Sequence, residues 1–270
     1  MSEQVKGDGM AYRTILYEKK NGIAYVTLNR PERGNAFDEV MGLELIEIWK
    51  DIRDDNSVKV VILTGAGDRH FSTGGDMKET AKGWRPNLPR LPEMWKPVIG
   101  AINGVVAGGG FHFITYIADF AICVEHATFL EPHVARGIVP VREMLGLATR
   151  VPLGEVMRMA FVSTSDRRDA QWALQHGLVT EIVPKERLIS RAEELAGMIM
   201  QHSQHAIQST KELLHRAFEV EYAYGDYIQL GRLMEQVRRS PDADEGPKAF
   251  SEKRKAQFAS VSKKEAVPTA

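Results

Sequence analysis

The chain of 270 residues contains a single cysteine, Cys123, so no intrachain disulfide staples it, and a reducing compartment suits it. It also lacks an excess of either charge. Lys and Arg number 35 against 36 Asp and Glu, a formal net charge of -1, which argues against mechanisms that need a broad cationic surface, nonspecific nucleic-acid binding among them. The opening MSEQVKGDGM has neither an apolar stretch nor an Arg-rich amphipathic pattern, so no secretory or mitochondrial address is legible and a cytoplasmic location is expected. No clean apolar run reaches the roughly 20 residues of a membrane span. The most apolar stretch, Pro97 to Val124, is interrupted by Asn103, a glycine cluster, His112 and Asp119, and reads as buried core with Cys123 as filler. Internal repeats of fixed period are missing as well. With 43% apolar and 26% charged residues, the chain is expected to be a soluble globular protein: one large domain, or a core with a small helical appendage.

Thr14 to Tyr17 and Ile23 to Leu28 read as strands joined by a hairpin turn at Lys19-Lys20-Asn21-Gly22. From Phe37 the apolar positions Phe37, Val40, Met41, Leu45, Ile48, Trp49 and Ile52 recur at three- and four-residue steps, an amphipathic helix that ends at Asp54-Asp55-Asn56. Val58 to Leu63, Pro97 to Ile102 and Phe120 to Val124 are β-branched or apolar runs with helical patterns between them, which implies parallel pairing through crossovers. Beyond about Val183 the pattern is helical, through Leu188, Leu195 and Ile199, then Ile207, Leu213, Leu214 and Phe218, then Tyr227, Leu230 and Met234. The expected division is a core over residues 1–200 and a helical region over 201–270, whose apolar stripes need a partner surface; the end after Phe258 is expected to fray.

Two glycine-bearing strand-to-helix junctions stand out: Phe71-Ser72-Thr73-Gly74-Gly75-Asp76 after the Val58 strand, and Asn103-Gly104-Val105-Val106-Ala107-Gly108-Gly109-Gly110 after the Pro97 strand. Neither forms G-x-G-x-x-G or a P-loop, and no G-x-S-x-G elbow occurs, so dinucleotide, Walker-type and hydrolase-elbow sites gain no support. Glycine does let a ligand approach bare main chain, and a helix N-terminus supplies unpaired donors. Two such donors converging on one oxygen form an oxyanion hole. Tight helix packing is the alternative use of these glycines.

Asn29-Arg30-Pro31 with Asn35-Ala36, the run from Phe71 to Glu79, Pro97 to Gly104 with the triple glycine, and Glu245-Gly246 with Ala249 to Lys255 together resemble the crotonase, or enoyl-CoA hydratase/isomerase, superfamily, in order and over about residues 12 to 258. The resemblance implies an α/β fold: a crotonase-like spiral of ββα turns with a C-terminal helical trimerisation region. It implies a homotrimer or dimer of trimers and a coenzyme A thioester as substrate, with coenzyme A entering only as part of that substrate and no permanent cofactor or metal. By position the two amides that would hold an enolate oxygen are those of Thr73 and Gly109. Contacts to coenzyme A would come from Ala36, from Ser72, Thr73, Gly74, Gly75, Asp76, Met77 and Lys78, from Gly109, and from Phe250 and Lys253 in the tail.

The chain departs from that pattern at the acid–base positions. Standard enoyl-CoA hydratases carry a glutamate three residues after the oxyanion glycine and another after the proline of F-x-x-P-E; here these places hold His112 and His133. Val139-Pro140-Val141-Arg142-Glu143 replaces a glycine-rich stretch, and the segment between Asp76 and Pro97 is short. Removing one acid–base group costs about 10² to 10⁴ in rate, so hydratase chemistry requires the histidines to take over as proton carriers. Extended backbone over 129–133 would put Glu131 and His133 on one side; Glu131 or Glu143 could orient His133, or Glu143 could simply offset a helix dipole. The chemistries left open are lyase or isomerase action on an enoyl-CoA, hydrolytic carbon–carbon cleavage of a β-diketone or β-oxoacyl-CoA, and coenzyme A binding without catalysis. His202 and His205, three apart, make a weak metal pair and read as surface residues, and His70 reads as a loop residue near the first junction.

Overall fold

The computed structural model describes residues 12–81, 93–223 and 242–257. The expectations for Tyr227, Leu230 and Met234, and for the end after Phe258, fall outside them.

Strands β1 (Ile15–Lys20) and β2 (Ile23–Leu28) form an antiparallel hairpin in which Lys20 pairs with Ile23. Lys19 and Lys20 are therefore strand residues, and the turn is only Asn21-Gly22, both left-handed at φ 53° and 80°, the geometry that matches strand twist. Helix α1 (Glu39–Asp54) begins later than its periodicity suggests, because the Asp38 carboxylate accepts the Met41 N–H and caps it. Phe37 instead bridges to Gly75 in extended backbone. At the other end of α1, buried Lys96 donates to the carbonyls of Ile52 (2.5 Å) and Asp55 (2.7 Å).

The remaining strands are β3 (Val60–Gly65), β4 (His70–Ser72), β5 (Val98–Ile102), β6 (Val105–Ala107), β7 (Phe120–Val124), β8 (Thr128–Leu130), β9 (Arg168–Asp169) and β10 (Glu181–Val183). They form two sheets, ordered β1-β2-β3-β5-β7-β10 and β4-β6-β8-β9. Beyond the first hairpin all neighbours in the large sheet run parallel, and only β8 and β9 are antiparallel in the small one. Each successive turn of chain thus gives one strand to each sheet and then turns helical: β3, β4 and α2 (Met77–Ala81); β5, β6 and residues 108–117; β7, β8 and helices α3 (Arg142–Ala148) and α4 (Leu153–Val162). This is the expected spiral of ββα turns. The small strands escape periodicity because two or three residues carry no pattern, and both glycine junctions follow them rather than the long strands.

Between the layers, Phe71 and Phe113 meet edge-on at 6.1 Å, as do Phe37 and Phe113. Cys123 is buried on β7, and burial pushes its thiol up to about 12, as expected of core filler. Helices α5 (Ala170–Gln175), α6 (Leu188–Met200) and α7 (Gln204–Ala223) follow, and α8 (Asp242–Ser251) lies near the end. Lys211 ties α7 to the core, reaching the Asp119 carboxylate and the Lys96 carbonyl, both at 2.9 Å. Among the described residues no helix is long and apolar enough to cross a membrane.

Candidate active site

Strands β4, β6 and β8 lie side by side, and each releases its chain at the same edge into one segment of the site. After β4, the Thr73 N–H donates to the Gly34 carbonyl at 3.0 Å, so the expected Thr73 donor is already committed to the fold. The Gly74 N–H meets the Ser72 hydroxyl at 3.3 Å, and the Asp76 N–H donates to the Phe37 carbonyl at 2.9 Å. Gly75, between them, has an N–H with no acceptor among the described residues. The sequence register was thus two residues off: regular extension would turn the Thr73 and Gly75 amides to the same side, but the left-handed Gly74 between them (φ 87°) breaks the alternation, so Thr73 faces the 34–37 loop and Gly75 does not.

After β6, Gly108 (φ 50°) opens a tight turn, Gly108–Gly110, whose first N–H groups have no earlier carbonyl to bond. The Gly109 N–H has no acceptor among the described residues. The two turns touch: a Cβ on Gly74, itself left-handed at φ 87°, would lie 2.6 Å from the Gly109 nitrogen. A side chain there would displace the amide.

After β8 the strand ends at Leu130, and His133 has helical backbone (φ -66°, ψ -47°), so strand alternation is not what pairs Glu131 with His133. A local turn does it. One Glu131 carboxylate oxygen accepts the His133 N–H at 2.8 Å and closely contacts the His133 Nδ1. A Cβ on Gly108 would lie 3.1 Å from the His133 Cε1, which seats the imidazole against the glycine turn.

His112 follows the glycines at the start of the wide helical turn Phe113–Ile117, which is closed by the Ala118 N–H donating to the Phe113 carbonyl at 2.9 Å. Glu143, in the first turn of α3, places one oxygen 3.1 Å from the His112 Nε2 and 4.0 Å from the His133 Nε2. The first contact is close but not in hydrogen-bond alignment, and the His112 Nδ1 has no partner among the described residues. Four groups from three elements therefore form one row: Glu131, His133, Glu143 and His112.

Burial opposes charge on His133, but the Glu131 carboxylate, by charge and hydrogen bond, and Glu143 outweigh it and hold the imidazole above its ordinary value. Burial likewise works against Glu143, yet His112 and His133 overcome it and bring the carboxyl down to about 2.

The expected coenzyme A contacts fare unevenly. Ser72 is fully buried, with its hydroxyl on the Asn35 carbonyl (2.9 Å). The Ala36 carbonyl is occupied by Arg30 (2.6 Å), and the buried Asp76 carboxylate accepts the Arg30 guanidinium (2.8 Å) and the Lys78 N–H (2.9 Å). Ser72 and Asp76 thus serve the fold with their side chains. Met77 is half-buried and Lys78 exposed on α2. Phe250 on α8 is exposed and lies 4.7 Å from the Arg136 guanidinium, one turn after His133; Lys253 is exposed beyond α8. His202 and His205 are exposed, and no metal-holding cluster occurs among the described residues.

Glycine turns with bare amides and a row of histidines and carboxylates beside the carboxyl ends of adjacent parallel strands, on a two-layered ββα spiral, define a protein of the crotonase fold. The sequence profile described as enoyl-CoA hydratase/isomerase matches residues 18–261, and the chain belongs to that family. It is 38% identical over 255 residues to the carnitinyl-CoA dehydratase of Escherichia coli K12, covering 88% of this chain and 96% of that one. A solved carnitinyl-CoA hydratase from Mycobacterium avium superposes with a TM-score of 0.78 at 27% identity, over 91% of this chain and 98% of the other. The enoyl-CoA hydratase of Mycobacterium tuberculosis gives a TM-score of 0.77 at 34% identity, over 84% and 100%.

Proposed function

We propose that the chain is a lyase acting on an acyl-CoA thioester, adding water to, or eliminating it from, the bond next to the carbonyl. The observation that carries this reading is the contact of the Gly74 and Gly108–Gly110 turns, with His133 seated against Gly108. The Gly75 and Gly109 N–H groups hold the thioester oxygen as it becomes an enolate; one such donor is typically worth about 10² to 10³ in kcat. A carboxylate near 2 is too weakly basic to carry protons at neutral pH, so Glu143 acts as the anion between two imidazoles. In elimination, the His112 Nδ1 takes the α-proton, the His133 imidazolium gives a proton to the departing β-hydroxyl, and the enolate collapses to the enoyl thioester and water. Glu131 fixes the proton of His133 on Nδ1 and favours its charged form.

The named activities of the relatives make carnitinyl-CoA and crotonyl-CoA the first substrates to assay. Turnover of either, lost in both His133→Ala and His112→Ala, supports the reading. Unchanged turnover in both variants contradicts the row, and binding without any turnover favours a non-catalytic coenzyme A protein. A second reading, hydrolytic cleavage of a β-oxoacyl-CoA or β-diketone, draws on the Glu131–His133 pair, an arrangement suited to driving water onto a carbonyl. Activity confined to a cyclic β-oxoacyl-CoA selects it.

Alongside this we propose a cytoplasmic homotrimer or dimer of trimers, a core over 1–200 with a helical region over 201–270, and coenzyme A contacts from Ala36, Gly74, Met77, Lys78, Phe250 and Lys253. Exposed Leu153, Met157 and Phe161 on α4 and Leu213 and Leu214 on α7 support self-association. Sedimentation equilibrium tests it.

A further inference from the structure

The reading above treats two backbone amides as donors, and an amide is only as well placed as the loop behind it. The 30–38 loop is that support for Gly75. Arg30 lies at its base, with a side chain only 14% exposed. One guanidinium nitrogen donates to the Ala36 carbonyl (2.6 Å), and the other reaches the Asp76 carboxylate (2.8 Å) and the Asp38 carboxylate (3.2 Å). Asp38 caps α1, Ala36 precedes the residue that bridges to Gly75, and Asp76 directly follows Gly75. One side chain therefore joins the helix cap, the loop and the turn.

Asp76 also feels the charge of Arg33. Its second oxygen accepts the Lys78 N–H (2.9 Å) and holds the first turn of α2. Arg30 through Asp76 thus pins the peptide carrying the free N–H from its C-terminal side, while the Phe37 N–H on the Gly74 carbonyl (2.9 Å) pins it from the other. Only a planar fork reaches acceptors on both sides in this way; a lysine has one nitrogen at the end of a flexible stem.

We propose that Arg30 is a positioning residue for the oxyanion hole, holding the Gly75 amide in register through its bonds to Asp76 and Ala36. The inference rests on the oxyanion reading. A displacement near 1 Å at a reacting centre costs about 10² in rate, so Arg30→Lys is expected to lower kcat by about 30-fold or more while KM stays within about threefold.

The test uses the full chain with cinnamoyl-CoA, whose near-ultraviolet absorption moves to the red when its carbonyl is polarised. Wild type is expected to bind it with a red shift, and Arg30→Lys to bind it with similar affinity but a smaller shift. Asp76→Asn keeps the side-chain shape and the Lys78 bond but not the ion pair, and is expected to behave alike; it decides the matter if Arg30→Lys does not fold. Full retention of shift and kcat overturns the proposal. A raised KM with kcat intact also overturns it, since Arg30 would then serve coenzyme A binding. Absence of the shift in wild type instead removes the oxyanion reading itself.

Discussion

On the amide face of the site, Gly74 turns left-handed at φ 87°, the 34–37 loop takes up the Thr73 and Asp76 N–H groups, and the donors themselves do not titrate. The opposite face is made of side chains: His112 after β6, Glu131 and His133 after β8, and Glu143 on α3 are brought together from separate turns of the spiral and hold one another by charge. One face is geometry fixed by the backbone, and its Arg30–Asp76 support is lost only in acid because the Asp76 carboxyl is held below its ordinary value. The other is a charge balance that burial magnifies, because a low-dielectric setting strengthens both attraction and the penalty for an unpaired ion.

That contrast yields predictions in descending size. Replacing His133 with alanine removes the proton donor and leaves Glu131 buried with only the main-chain N–H of residue 133; kcat is expected to fall by on the order of 10³, read by steady-state kinetics on the acyl-CoA that the wild type turns over. Gly74→Ala adds a Cβ at 2.6 Å from the Gly109 nitrogen, and the expected loss is about 10² in kcat with the pH profile unchanged in shape. A shifted profile in that variant would break the separation of the two faces.

Glu131→Gln acts in the converse way. It removes the charge that keeps the His133 pKa high, so the alkaline limb of kcat/KM should move to lower pH, with a loss of about tenfold at neutral pH. Stability follows the same signs. The raised His133 contributes fully below about 6.5, its ordinary value, and loses that contribution as pH rises through its higher folded value; the depressed Glu143 contributes above 4.5 and loses it as pH falls toward 2. Denaturation followed across pH should therefore show both flanks in wild type, and Glu143→Gln should make the acid one shallower, the rest of it coming from other depressed carboxylates such as Asp76 and Asp119. The smallest effect belongs to Thr73→Ala, expected to keep kcat within about threefold, since its amide is bonded to Gly34 and its hydroxyl makes only a neutral hydrogen bond.

The long strands and α1 were legible in the sequence because β-branched runs and three-to-four spacing reflect burial directly, and the glycine turns were legible as motifs. The identity of the donor was not. Thr73 and Gly75 would face the same way in a regular strand, and what separates them is the left-handed turn at Gly74 against the 34–37 loop. Likewise, His112, His133 and Glu143 were identified singly, but their row depends on the stacking of β6 and β8, strands too short to leave a pattern. The Glu131–His133 pair was anticipated for the wrong reason, as strand alternation rather than a side chain folding back on its own turn. Arg30 stood in a quoted motif, yet its partner Asp76 lies 46 residues on, and no local spacing joins them.

A crystal structure with a bound acyl-CoA tests the central claim most directly, through the distances from the thioester oxygen to main-chain nitrogens. The account predicts 2.7 to 3.1 Å to both Gly75 and Gly109, with the β-carbon facing His133. An oxygen bound by Thr73, or lying beyond hydrogen-bond reach of either glycine nitrogen, would contradict it.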